Sequence, residues 1–461
     1  MDIFDFYRKG IYSYDREWKK SNVWWWTRLA HVCRKWRAVM FASPTRLDFA
    51  ITVGARTPKD IETILSGPLP IRIHYKIGPW ATRRDPIDTL RRLRNALTHH
   101  DRVREISLEV LGDWWDKFFK ETNCLFPALE SLVLRFGKDS RYEIPDTFLG
   151  GPDPSIPHLR HLRLQSASLA SISGLLLSAT ALTDLFLEVE TPFGQSPGTS
   201  LLACLQSMLC LRHLDLLLSS ERFDPPFYYS PPEDIVPLPK LTCIHYVGLV
   251  DFLEVLVAGL SATSLLEVDI DFFIAHSVVH LPRFINEIDE HYRAVHMVFQ
   301  DRHFQVSFLT QPEYISQCKP HFQLGSLDSY PVFLEICDAV STKLATVEEL
   351  RVSFEKKFAD VTIASIWEEL IQWRRLLRKF PCVKALRTEG INNYSIARSL
   401  LQDEEEPDDD TDFMPALEEI ELGKDSSSTD ESQRGPELAA FQPFISARQQ
   451  ADCPVRVFFR T

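Results

Sequence analysis

A short pattern of apolar positions recurs along this chain: an apolar residue, another three positions later, and a third two positions after that. Its first position falls at residues 129, 159, 182, 211, 241 and 265, so the intervals are 30, 23, 29, 30 and 24 residues. Periods of this length are typical of stacked repeats, in which each unit is stable only against its neighbours. The clearest copies are Leu129-Leu132-Leu134, Leu159-Leu162-Leu164, Leu182-Leu185-Leu187, Leu211-Leu214-Leu216 and Leu265-Val268-Ile270.

The last two positions of each copy alternate with polar residues, which predicts a strand that buries one face. Between the strands lie segments of helical character, at residues 87–97, 169–178, 200–208 and 252–259. Parallel strands require such crossover helices, so the sequence predicts an α/β chain with a parallel sheet and helices on the outside. The alternative is that these are core strands of an α/β fold that has no stacked repeats.

Weaker copies of the pattern extend the series in both directions. The segment DRHFQVSF, which follows a copy at Ala294, alternates apolar and polar residues and predicts a strand that pairs back as a hairpin. Further helices are expected at residues 58–65, 332–341 and 363–379. The additional strands are expected at residues 69–77 and at Val103-Ile106-Leu108, Ala294-Met297-Phe299, Val347-Leu350-Val352, Val383-Leu386 and Leu417-Ile420-Leu422.

Composition narrows the class of protein. The chain has 51 Lys and Arg against 64 Asp and Glu, a net charge of −13, which argues against a nucleic-acid partner. No apolar run reaches the 18 residues of a membrane span, and charges interrupt every apolar stretch near the N-terminus, so a signal peptide is not expected. Nine scattered cysteines fit thiols in a reducing compartment, the cytoplasm or nucleus. Residues 402–412, with eight acidic side chains, and the Ser-rich residues 424–436 are expected to be exposed loops.

Polar strand positions between the buried residues would line the concave surface of a stacked sheet, and such surfaces often bind partners. The alternative is that each of these side chains is simply solvated. The candidates for a partner-binding role are Arg160, Arg163, Asp184, Arg212, Asp215 and Glu267.

Catalytic and metal motifs are absent from the sequence: it has no P-loop, G-x-G-x-x-G, G-x-S-x-G or H-E-x-x-H. His158 and His161, or His276 and His280, have spacings that a metal site could use, but a structural or solvated role is favoured for both pairs. The acidic loop at 402–412 lacks the spaced glycine and alternating ligands of a calcium loop. We therefore expect no catalytic residue, no cofactor and no metal, and predict that the chain is not an enzyme.

The first 50 residues differ from the rest, because they hold five of the ten tryptophans. From residue 25 to 42 the apolar positions fall on one face of a helix, and Ser43-Pro44 ends it, since the residue before proline avoids helical geometry. The tryptophans at 24–26 are expected either in a core or in a partner contact. The apolar face of this helix consists of Leu29, Val32, Cys33, Trp36, Val39 and Met40.

This helix carries a family resemblance. Its sequence LAHVCRKWRAVMFASP, from Leu29 to Pro44, resembles the second half of an F-box as found in F-box/leucine-rich-repeat proteins of mushroom-type fungi. Upstream, IFDFY resembles the end of the first F-box helix, so the chain starts inside that helix and the motif is incomplete. Near the other end, FQPFISAR and PVRV, in residues 441–457, resemble the closing strand segment of the same proteins.

The resemblance implies a fold and a role. The fold would be an F-box-like helical module over residues 1–50, followed over residues 51–461 by an irregular leucine-rich-repeat-like solenoid. The role would be substrate recognition in an SCF-type ubiquitin ligase: the module binds a Skp-type adaptor, joins a cullin scaffold, and the repeats capture a protein substrate. The alternative is a ligase-independent repeat scaffold with a decayed F-box. Some of the residues that match the adaptor-binding pattern would instead pack the module's own core; they are Ile3, Phe4, Leu29, Val32, Cys33, Trp36 and Arg37.

Overall fold

The protein is described here by a computed structural model, and its chain divides into two compact units, Met1–Val189 and Glu190–Thr461. Each unit is described by itself. The structure describes residues 33–35, 38, 51–54, 65, 67, 69–76, 86–109, 114–137, 143–145, 147–150, 156–167, 169–190, 197–219, 232, 234–273, 278–288, 291–299, 303–310, 322–327, 330–354, 373–389, 393–401, 414–423 and 434–459.

Six parallel strands form the described sheet of the first unit, and they follow one another in chain order. The strands are β1 (Ile51–Gly54), β2 (Ile71–Lys76), β3 (Val103–Glu109), β4 (Ser131–Arg135), β5 (His161–Ala167) and β6 (Asp184–Glu190). The helices between them are α1 (Pro86–Leu97), α2 (Trp114–Glu121) and α3 (Leu169–Ser178), with a 3₁₀ turn at Phe148–Gly150. This is the predicted succession of strand and helix.

The second unit contains a larger sheet, in the order β7-β9-β11-β14-β13-β12-β15-β16-β17-β18. Its strands are β7 (His213–Ser219), β9 (Cys243–Leu249), β11 (Glu267–Phe273), β12 (Ala294–Phe299), β13 (His303–Leu309), β14 (Phe322–Leu327), β15 (Glu349–Phe354), β16 (Ala385–Glu389), β17 (Glu419–Leu422) and β18 (Arg456–Phe459). Two short strands, β8 (Val236–Pro237) and β10 (Leu260–Ser261), pair separately.

Helices also separate most strands of the second unit. They are α4 (Pro197–Leu205), α5 (Val250–Gly259), α6 (Leu281–Glu287), α7 (Tyr330–Ala339), α8 (Ser341–Leu344), α9 (Asn393–Ser399) and α10 (Arg434–Gln450). Residues 373–377 are helical too, within the predicted helix 363–379. The predicted helices 200–208, 252–259 and 332–341 are confirmed with ends shifted by up to three residues.

One backbone turn repeats before the strands and explains the apolar pattern. The amide of Leu129 donates to the carbonyl of Phe126, and the same contact recurs between residues 159 and 156, 182 and 179, 211 and 208, 241 and 238, 347 and 344, 383 and 380, and 417 and 414. Both residues of every such pair are buried. The full unit therefore has four apolar positions, one more than the sequence pattern suggested, because the turn places its first residue in the core as well.

Neighbouring turns are joined by a single carbonyl that accepts two amides. The Arg160 carbonyl accepts from the amides of Thr183, at 2.9 Å, and Asp184, at 3.0 Å. Arg212, Thr242, Arg293, Glu348 and Lys384 hold the next turn of the second unit's sheet in the same way. This shared joint fixes the register of each strand against its neighbour through main-chain atoms, and at two joints the hydroxyls of Thr183 and Thr242 donate to the same carbonyl.

The apolar strand positions face the helices, as predicted. Leu129, Leu132 and Leu134 have no exposed surface. In the second unit the buried Tyr246 of β9 stacks on Phe252 of α5, with ring centroids 6.2 Å apart. Burial of such aromatic and leucine side chains between sheet and helices supplies the main stabilising energy of this layer.

The predicted hairpin is confirmed, and it brings an unpredicted strand with it. Strand β13 runs antiparallel to β12, with Ala294 opposite Leu309. Strand β14 then pairs antiparallel with β13 and parallel with β11. The chain thus leaves β11, forms β12 three places away in the sheet, and fills the two places between them with β13 and β14.

The C-terminal end of the chain differs from the sequence expectation, and the N-terminal end is described only in part. Residues 434–450 form helix α10, which begins inside the predicted loop 424–436 and contains most of the segment that was expected to belong to a closing strand. The closing strand itself is β18, at Arg456–Phe459. The acidic residues 402–412 lie outside the described residues. Of the N-terminal module, only residues 33–35 and 38 are described, and residues 34, 35 and 38 are helical.

Candidate interaction face

Alternate residues of the strands form a polar face opposite the buried leucines. In β5 and β6 the buried residues are separated by partly exposed ones, among them Arg163, Gln165, Phe186 and Glu188. We call the partly exposed strand residues of each unit its polar face. Because side chains of a strand alternate between its two faces, about every second side chain of β5 and β6 is partly exposed on this face.

Charged side chains on the polar face of the first unit pair across neighbouring strands. Arg72 of β2 lies 3.3 Å from Glu105 of β3. Glu109 of β3 is shared between Lys76 of β2, at 2.6 Å, and Arg135 of β4, at 3.4 Å. Cross-strand pairs of opposite charge each add a fraction of a kcal/mol, so their main effect is to hold the side chains in one arrangement.

Two further cross-strand contacts join β5 and β6. The guanidinium carbon of Arg163 lies 3.8 Å from the centre of the Phe186 ring, within cation–π distance. His161 Nδ1 lies 2.7 Å from Asp184 Oδ2, so this histidine contacts a carboxylate of the sheet. Arg163 and Asp184 were both candidates from the sequence, whereas Phe186, the partner of Arg163, was not.

In the second unit a histidine lies between two aspartates. His245 Nδ1 is 2.7 Å from Asp215 Oδ1 of β7, and His245 Nε2 is 3.7 Å from Asp269 Oδ2 of β11. The hydrogen bond to Asp215 raises the pKa of His245 above its ordinary value, with the charges of Asp215, Asp269 and Asp271 adding to the effect and burial opposing it. The three strands therefore carry a row in which one histidine is shared by two carboxylates.

A second histidine row crosses β12, β15 and β16. His296 Nε2 lies 3.0 Å from Ser353 Oγ, which donates to Glu389 Oε2 at 3.3 Å. Arg351 is also bonded to Glu389. Burial, with a contribution from Arg351, lowers the pKa of His296 to about 4, so the imidazole is neutral near neutral pH.

This row does not form a catalytic triad. In a triad the carboxylate bonds the histidine and orients it towards the serine. Here Glu389 bonds Ser353 and Arg351 instead, so the hydroxyl lies between the imidazole and the carboxylate. The arrangement is that of a structural hydrogen-bond row on the polar face.

Arg387 extends the same face towards β17. Its Nε lies 3.0 Å from Glu349 Oε1, and its Nη1 lies 3.3 Å from Glu421 Oε2. Burial raises the pKa of Glu349, while Arg387 and Arg351 oppose that rise. One arginine thus bridges carboxylates from the strands on either side of its own.

The structure assigns different positions to the six residues predicted for the concave surface. Arg163, Asp184, Asp215 and Glu267 lie in strands, at the partly exposed positions of the polar face. Arg160 and Arg212 are exposed, each one residue before its strand (β5 and β7), and their carbonyls form the joints described above.

The residues predicted for adaptor binding are largely outside the described part of the chain. Cys33 is described and exposed. The others lie outside the described residues: Ile3, Phe4, Leu29, Val32, Trp36 and Arg37.

Sequence reasoning missed His245 and His296, and it considered His161 only as half of a metal-spaced pair, with a structural or solvated role favoured. A signal for them was present: each lies at a polar position of a predicted strand, between or beside apolar positions of the repeat. Only charged residues were selected from those positions, so uncharged members of the face, including Phe186 and Ser353, were not found.

Among the described residues, no group of three or more His, Cys, Asp or Glu side chains has the arrangement of a metal site. The described helices are all too short or too polar to span a bilayer. No protein-family model matches the chain, and no curated protein does so either.

Proposed function

We propose that this protein is a substrate-recognition subunit of an SCF-type ubiquitin ligase, in which the polar faces capture a protein and the N-terminal F-box-like module binds a Skp-type adaptor. The observation that supports capture is the polar face itself. It presents Arg, Asp, Glu, His and Phe side chains at alternate positions of neighbouring strands, held by cross-strand contacts such as Arg163 with Phe186 and Asp215 with His245. The link to a ligase rests on the sequence resemblance of residues 29–44.

A fixed arrangement of side chains favours protein recognition. Binding requires immobilising the side chains at the interface, and side chains that are already paired lose less conformational entropy when a partner arrives. The joints between turns fix the strands through the main chain, so the spacing of these side chains does not depend on the partner. Their mixed charges and the partly exposed cation–π pair of Arg163 with Phe186 suit a polar protein surface.

The ligase connection is tested by association with a purified Skp-type adaptor. We expect the full chain to co-purify with the adaptor and with the cullin scaffold, and Trp36→Ala to abolish that association. Lys117→Ala, a change of an exposed residue on α2, is the matched control and should leave it intact. A chain that folds normally and never associates with the adaptor would instead support a ligase-independent scaffold.

Substrate capture needs its own test. Partners identified by quantitative cross-linking of the full chain should form cross-links near Asp215 and Arg163, and the double variant Arg163→Glu/Asp215→Lys should lose them. Lys117→Ala should keep them. Partners that bind the double variant as well as the unaltered chain would show that the polar faces are not the capture surface.

A further inference from the structure

Strand β18 is the last strand in the order of the second unit's sheet, and its side chains are unusually exposed. In the described part of the chain it pairs only with β17, with Arg456 opposite Glu419. The side chain of Arg456 is 76% exposed, and Phe458 is 42% exposed. An edge strand with an exposed aromatic residue is a template for pairing with another strand.

The direction of the backbone groups at this edge follows from one hydrogen bond. The amide of Arg456 donates to the carbonyl of Glu418, at 2.9 Å, so Arg456 directs its polar backbone groups towards β17. Backbone groups of successive strand residues point to opposite sides. The amide and carbonyl of Val457 therefore point away from β17, towards the edge.

We propose that β18 pairs with β18 of a second copy of this chain, in antiparallel orientation, about a twofold axis at Val457. An antiparallel pair in which Val457 faces Val457 lets the two residues exchange both amide-to-carbonyl hydrogen bonds. The next residues on either side then face each other across the axis. Arg456 of each copy lies opposite Phe458 of the other, which forms two cation–π pairs.

Other symmetric registers are less favourable. A shift of the axis to residue 456 places two Arg456 side chains opposite each other. A shift in the other direction, to residue 458, places two Phe458 side chains opposite each other and leaves Arg456 without a facing residue in the four-residue strand of the second copy. Like charges directly opposite are destabilising in an antiparallel pair, so the register at Val457 is the one that the sequence of β18 selects.

The symmetry fixes the arrangement of the polar faces. A twofold axis perpendicular to the sheet continues the sheet from one copy to the other and keeps both polar faces on the same side. Arg456 and Phe458 lie on that side, because they are in register with Glu419 and Glu421. Since the paired strands are four residues long, the contact is small and the dimer is weak and concentration-dependent.

Sedimentation velocity of the full chain over a wide concentration range tests the proposal. We expect a monomer–dimer equilibrium, and Val457→Pro should raise the dimer Kd by at least about tenfold, because proline lacks the outward amide. Two charge variants test the register. Phe458→Lys should weaken the dimer through repulsion from Arg456 of the second copy, whereas Phe458→Glu should strengthen it by pairing with that arginine.

The melting temperature of each variant shows whether it is folded. A chain that stays monomeric at every concentration would overturn the proposal. It would also be overturned if Phe458→Lys and Phe458→Glu weakened the dimer equally, since that result indicates non-specific association through an exposed phenylalanine. Val457→Pro that leaves the dimer intact would exclude pairing through this edge.

Discussion

His245 and Asp215 are thirty residues apart in sequence, yet His245 Nδ1 lies 2.7 Å from Asp215 Oδ1 across neighbouring strands. The contact is possible because β7 and β9 pair in register, with Asp215 directly opposite His245. It turns two polar positions of successive repeats into one hydrogen-bonded unit on the polar face.

This contact predicts a pH dependence of stability. The pKa of His245 is raised in the folded protein, so folding favours its protonated form, and its contribution is fully present below the ordinary histidine pKa of about 6.5. That contribution is lost as the pH rises through the raised pKa. The melting temperature of the unaltered chain should therefore exceed that of His245→Asn by more at pH 5.5 than at pH 8.

His296 should show the opposite sign. Its pKa is lowered to about 4, so its neutral form is favoured by folding, and stability falls as the pH drops from about 6.5 towards 4. We expect His296→Asn to flatten this decline in melting temperature, measured at intervals between pH 4 and 8. Equal pH profiles for the two histidine variants would contradict both assignments.

Glu254 of α5 caps the N-terminus of α6. The side chain of His280, the residue that precedes this helix, makes no capping hydrogen bond. The Glu254 carboxylate accepts from the amides of Val279, His280 and Leu281, at 2.9, 2.6 and 2.9 Å. Glu254→Gln replaces one accepting oxygen by a donor, which should destabilise the protein by about 1–3 kcal/mol. In Glu287→Gln, by comparison, only an exposed pair with Arg283 is lost, and the effect in a urea titration should stay below about 0.5 kcal/mol.

Replacing a glycine by alanine should have opposite effects on stability at two positions, Gly248 and Gly174. A Cβ at Gly248 of β9 would lie 2.8 Å from both Leu218 Cβ and Tyr246 Oη, so Gly248→Ala should destabilise the protein by about 1–3 kcal/mol. A Cβ at Gly174 of α3 would meet nothing within 4 Å, so Gly174→Ala should stabilise it by about 0.5–1 kcal/mol. Calorimetric melting of the two variants gives the comparison, and shifts of the same sign would refute it.

Arg448 connects α10 to the turn before β17 through two hydrogen bonds. It is buried, and its Nη2 donates to the carbonyls of Pro415, at 3.0 Å, and Leu417, at 3.3 Å. Arg448→Ala should destabilise the protein by about 2–4 kcal/mol, because two carbonyls, that of Leu417 buried, lose a charged donor. Arg448→Lys should recover only part of that loss, since an ammonium lacks the planar fork. Hydrogen exchange of the β17 amides would locate the effect, and unchanged exchange in the alanine variant would argue against it.

The apolar triplets predicted most strands, because each triplet is buried by its own repeat and needs no distant information. Strand β14 was missed for the opposite reason. Its sequence FQLGSL lacks the triplet, and its place depends on pairing with β11 and β13, which are far along the chain. Helix α10 was missed because residues 441–457 were assigned to a closing strand segment on resemblance alone. Its own sequence gives a weak helix signal, since Pro443 lies inside it and proline usually ends helices.

Only the charged residues of the polar face could be selected from the sequence, and their cross-strand partners could not. Asp215 was selected because a charge at a strand position is conspicuous, but its partner His245 became meaningful only when the register of β7 against β9 was known. The same holds for Phe186, which reads as an ordinary apolar residue until Arg163 is seen above its ring. Cross-strand partners are thus a property of the register, which the sequence of one strand does not specify.

The joint at Arg160, where one carbonyl accepts the amides of Thr183 and Asp184, has a consequence for how such a chain can change over time. Every amino acid carries that carbonyl, so a substitution of Arg160 keeps the acceptor, and among substitutions at positions 183 and 184 only proline removes an amide donor. The side chains of the polar face are therefore not needed to join neighbouring turns. The fold can therefore be retained while the side chains of the polar face are replaced by a set that binds a different partner.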